Sequence, residues 1–90
     1  MAVPPLQLSH MGMTAHDLPR MERFYTDLLG FTVTDRGELP GPDDQPITLI
    51  FMSRDPAEHH QVVLASGRPA HLAHNPINQI SLRTDGLSSL

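Results

Sequence analysis

Between His16 and Phe31 the apolar residues Met21, Phe24, Tyr25, Leu28 and Leu29 recur at helical spacing along one face, while Arg20, Glu22, Arg23 and Asp27 take the other. Both ends of this segment are marked. Asp17 is suited to cap the first turn, Pro19 falls where its missing N–H costs little, and Gly30 can take the left-handed position that ends a helix. A helix with one apolar stripe needs a flat partner. The other patterned runs are short and extended: "LQLSHMGM", "FTVTDRG", "ITLIFMS", "HHQVVLAS" and "INQISLR". They predict an α+β chain ordered strand, helix, three strands and a further strand.

The loops between them are proline- and glycine-rich, as in "ELPGPDDQP" and "SGRPAHLAHNP", and "SRDPAEH" is short enough for a turn. The end of the chain resembles its beginning. Setting Gln79 on His10, an offset of 79 − 10 = 69, aligns Ile80 with Met11, Leu82 with Met13, Leu87 with Leu18 and Leu90 with Met21. Residues 1–76 therefore read as one unit, and 77–90 as the first strand and helix start of an incomplete second one.

Composition narrows the function. Ninety residues make one small domain, which buries only about 60 to 65% of the surface its unfolded chain exposes. Without cysteine there is no disulfide frame and no thiolate site, so any metal must be held by nitrogen and oxygen. A formal charge of −4 with six dispersed basic residues argues against nucleic acid and anionic membranes as partners. No apolar run approaches the roughly 18 residues of a membrane span, and "MAVPPLQLS" lacks a cationic leader, so a soluble cytoplasmic chain is expected. Glycine-rich phosphate loops and nucleophile elbows are absent, and "GPDDQP" reads as a turn.

The segments "SHMGM", "HDLPRMERFYTDLLGF", "TVTDRG", "EHHQVVLASGRP" and "NQISLRTDGL" together resemble the vicinal oxygen chelate superfamily of glyoxalase I, bleomycin resistance proteins and extradiol dioxygenases, with dioxygenase-like members most similar. The resemblance covers nearly the whole chain. It implies a βαβββ module of glyoxalase/bleomycin resistance/dioxygenase type, with paired modules cupping a divalent metal, Fe(II) or Mn(II), or else Zn or Ni. It also implies metal-dependent chemistry on a small oxygenated, catecholic substrate, since two imidazoles and a carboxylate leave adjacent coordination positions open. The other function class is metal-free sequestration of a small molecule, as in bleomycin resistance proteins; an inactive half-domain is a third.

By the resemblance His10 is the first-strand metal ligand. Gln79 holds the equivalent place in the second unit, where dioxygenases carry His and glyoxalase-like members use Gln. The carboxylate ligand would come from the last strand of a second module, and Val63 stands at the matching place in this one. Strand alternation sets His59, Gln61 and Val63 on one face and His60, Val62 and Leu64 on the other, making His59 the substrate-binding candidate. His16, just before the helix cap, reads as a surface or staple contact, His71 and His74 as solvated loop residues, and Tyr25 as core. An uncovered sheet face and a surplus strand at 77–83 predict a homodimer formed by module pairing, with 77–90 open to exchange between protomers.

Overall fold

The structure, a computed structural model, describes the backbone of residues 5–69, 71 and 77–84, and side chains at 5–69, 71 and 81–83. The expected order holds. Strands β1 (Leu6–Thr14), β2 (Thr32–Leu39), β3 (Ile47–Ser53), β4 (Val62–Ala65) and β5 (Ile77–Thr84) form one sheet, and helix α1 (Leu18–Arg23) follows β1. The sheet order is β2-β3-β4-β1-β5. Only β1 and β4 run parallel; the other pairs are antiparallel. The helix start expected within 85–90, and His74, lie outside the described residues.

Helix α1 begins as its sequence dictates. Asp17 is its N-cap and accepts a bond from the Arg20 N–H at 3.1 Å. Its continuation is a π-helical turn at Phe24–Leu28, closed where the Phe31 N–H donates to the Tyr25 carbonyl and Gly30 adopts φ 75°. That wide turn alters the expected stripe. Met21 and Tyr25 pack on the sheet, but Phe24, Leu28 and Leu29 remain 43%, 73% and 42% exposed. An i→i+5 turn adds a residue per turn, so the 100° spacing that would bring Leu28 and Leu29 inward is lost.

On the helix side of the sheet, Met13, Ile50, Met52, Val62 and Leu64 form the core, with Leu18, Met21, Tyr25, Phe31 and Val33 against it. Met52 and Leu64 are completely buried. Period-2 alternation then sends Leu49, Phe51, Val63 and Ala65 to the opposite face, left uncovered by the described helices.

The β1–β5 pairing carries the internal similarity into space. His10 pairs with Ser81, Met11 with Ile80 and Gly12 with Gln79. Because 79 − 10 and 81 − 12 both equal 69, the offset maps the first pair onto the third and leaves Met11–Ile80 at the centre. The flanking pairs Leu8–Leu82 and Met13–Ile77 interchange in the same way, beyond one register shift on each side.

Candidate functional site

The sheet face opposite α1 holds a cavity of about 240 Å³ lined by His10, Gly12, Met13, Leu39, Leu49, Phe51, His60, Val63 and Ala65. Its floor is set by register. Phe51, Val63 and Gly12 lie in one row across β3, β4 and β1. Gly12 contributes no side chain, so space remains between His10 and the apolar end at Leu49 and Ala65.

His10 stands at the polar end. Its Nδ1 is 3.1 Å from the Ser9 hydroxyl and its Nε2 is 3.0 Å from the Ser81 hydroxyl. Ser81 comes from β5, so the fifth strand completes the environment of the first strand's imidazole. The His60 ring meets His10 edge-on, with centroids 4.3 Å apart, and Phe51 at 5.1 Å. Gln79 lies two residues along β5 from Ser81, opposite Gly12.

His60 takes the place expected of His59. Strand β4 begins at Val62, so residues 59–61 are not extended and alternation does not govern them. The loop is fixed by other bonds. The Thr34 hydroxyl donates to the His59 carbonyl, the Gln61 N–H to the Met52 carbonyl at 2.8 Å, and Glu58 pairs with Arg83 of β5 through both guanidinium arms. His60 turns into the cavity, while the more exposed His59 sits outside its lining, with Nε2 3.6 Å from Asp35 Oδ2 and Nδ1 2.8 Å from His60 Nδ1.

The surroundings of His60 disfavour a positive charge on its ring. Desolvation pushes the His60 pKa below the ordinary imidazole value, and positive charge on His10 or His59 would add to that; Glu58 opposes it. On the loop that carries His60, the Arg83 guanidinium holds the Glu58 carboxyl below its usual range.

The donor set that the resemblance implies is not met by these residues. Among the described residues no three His, Asp or Glu side chains converge as ligands to one ion. Both His10 nitrogens face serine hydroxyls, and no carboxylate is among the described residues that line the cavity. Among the side chains that surround His10, the sequence does not single out Phe51, Ser81 or His60. Phe51 was legible from the Leu49/Phe51 alternation, Ser81 follows from an antiparallel β1–β5 register, and His60 depended on a strand boundary that composition does not mark.

His16, expected to make a surface or staple contact, bonds through Nε2 to the Pro69 carbonyl at 3.0 Å, and His71 is exposed. Neither lines the cavity.

Residues 7–85 match the family model described as Glyoxalase/Bleomycin resistance protein/Dioxygenase superfamily. No curated protein matches the chain.

Proposed function

We propose, for a chain that belongs to the Glyoxalase/Bleomycin resistance protein/Dioxygenase superfamily, that the uncovered sheet face binds a small oxygenated molecule with a flat apolar body, without a metal held by the protein. One observation carries this reading: the cavity joins an apolar floor of Leu49, Phe51, Val63 and Ala65 to an imidazole pair at one end, and the nitrogens of His10 are already engaged by Ser9 and Ser81. Such a site offers stacking area and a few directed polar contacts, which is what small-molecule pockets require.

A volume of about 240 Å³ is below the roughly 300 Å³ at which ligand pockets begin. A second wall is therefore part of the proposal. A second copy of the chain, packed face to face, supplies it and covers the half-exposed Leu39 in the same contact.

The metal-dependent reading needs donors beyond the described residues. Calorimetric titration of purified protein with phenol, with and without a chelator, separates the two. Binding that survives chelation, in protein with no stoichiometric metal, supports sequestration. Binding that vanishes with chelation and returns with Fe(II) or Mn(II) overturns it in favour of a metalloenzyme.

A further inference from the structure

The three clustered histidines form an ordered chain from the surface into the cavity. His59 Nε2 faces Asp35 Oδ2 at 3.6 Å, His59 Nδ1 faces His60 Nδ1 at 2.8 Å, and His60 lines the cavity beside His10. A neutral imidazole has one N–H and one lone pair, so two nitrogens at 2.8 Å require one ring to donate and the other to accept. The Asp35 carboxylate, an ion-pair neighbour at 3.6 Å rather than a hydrogen-bond acceptor, biases which. Asp35 favours a proton on His59 Nε2, which leaves His59 Nδ1 as acceptor and makes His60 Nδ1 the donor. His60 Nε2 then carries the lone pair, and it has no hydrogen-bond partner among the described residues.

We propose that Asp35 and His59 are positioning residues that fix the tautomer of His60, so that His60 Nε2 serves as the cavity's hydrogen-bond acceptor and selects ligands bearing an O–H donor. The functional half rests on the binding reading above; the tautomer half is a property of the ligand-free chain. The neighbourhood suits a neutral acceptor. Around His60 stand His10 on β1, Phe51 on β3, and His59 and Glu58 on its own loop, while Glu58 is tied to Arg83 of β5. The desolvation that lowers the His60 pKa keeps the lone pair available near neutrality. Thr34 anchors the relay from β2, the strand that also carries Asp35, by donating to the His59 carbonyl.

Nitrogen-15 spectra of the imidazole rings test this directly. Free histidine favours the Nε2–H tautomer, so an Nδ1–H tautomer at His60 in the ligand-free chain at pH 7.5 is a distinctive expectation. In His59→Phe and in Asp35→Asn the His60 ring should move toward Nε2–H, while His10 keeps its signals. His59 and Asp35 are both exposed, so neither substitution threatens the fold. Phenol should bind a few-fold to about tenfold more tightly than anisole, the span of one hydrogen bond, and His59→Phe should erase that preference. An Nε2–H tautomer at His60 in the unsubstituted chain, or one indifferent to His59→Phe, overturns the positioning role. A correct tautomer with equal binding of phenol and anisole overturns the acceptor role. Failure of both to bind overturns the acceptor role together with the binding reading, while the spectra still decide the positioning role.

Discussion

Leu64 and Phe24 show how a single side chain's weight depends on where the backbone takes it. Leu64 is completely buried on the helix side of β4, so Leu64→Ala should cost about 2 to 5 kcal/mol through lost burial and the cavity left behind. Phe24 shares the helical stripe in sequence but is 43% exposed, and Phe24→Ala should cost about 1 kcal/mol, well below a core aromatic. Urea midpoints of the two variants check the ordering. His60 gives a pH signature. Its folded pKa lies below the ordinary value of 6.5, so the unfolded chain binds the proton more readily and stability falls as pH drops through that value. His60→Gln should flatten this decline between pH 7.5 and 5.5, measured by thermal melting at fixed ionic strength. Equal slopes in both proteins would show that His60 does not carry the effect. The core was legible because strand alternation and burial coincide at Ile50, Met52, Val62 and Leu64. The cavity imidazole was not, because His59 and His60 differ only by the loop geometry that aims them.

Elements follow their sequence signals where the signal is local. Asp17 starts α1 and Gly30 ends the helical segment, as their side-chain chemistry and backbone freedom demand. They depart where a boundary depends on packing. The π-helical turn at Phe24–Leu28 and the start of β4 at Val62 have no compositional mark. The β2–β3 connection offers a sharper check. A Cβ on Gly41 would sit 2.1 Å from the Gln45 carbonyl oxygen and 3.0 Å from Ile47 Cγ1, so Gly41→Ala must displace the turn at Pro42–Asp44. The expected loss is about 1 to 3 kcal/mol, with faster amide exchange along β2 and β3 and little change in β1. The pairing of β1 with β5 was half legible: the 69-residue offset identified equivalent residues, but only antiparallel register turns that equivalence into a His10–Ser81 contact.

For the whole molecule, one face of the sheet is covered by α1 and its π-helical extension, and the other carries the His10–His60 cavity, which no described helix covers. Among the described residues no helix is long and apolar enough to cross a membrane. A second copy packed on the uncovered face would enclose the cavity, and sedimentation at micromolar concentration should report two chain masses with unfolding that shifts to higher temperature as concentration rises. A single chain mass with a concentration-independent transition would contradict the dimer. The family was legible because its residues run along most of the chain, whereas the site's ligand is set by a few side chains whose relative positions sequence spacing does not define. The binding of a small aromatic molecule on that face is tested most directly by titrating the nitrogen-15-labelled chain with phenol and following its amide resonances. Saturable shifts at His10, Gly12, Phe51, His60 and Val63, with Arg23 and Leu28 unmoved, are the expected result. Shifts confined to the groove of Leu18, Glu22 and Ile50 on the helix side, or no saturable shifts at all, would contradict it.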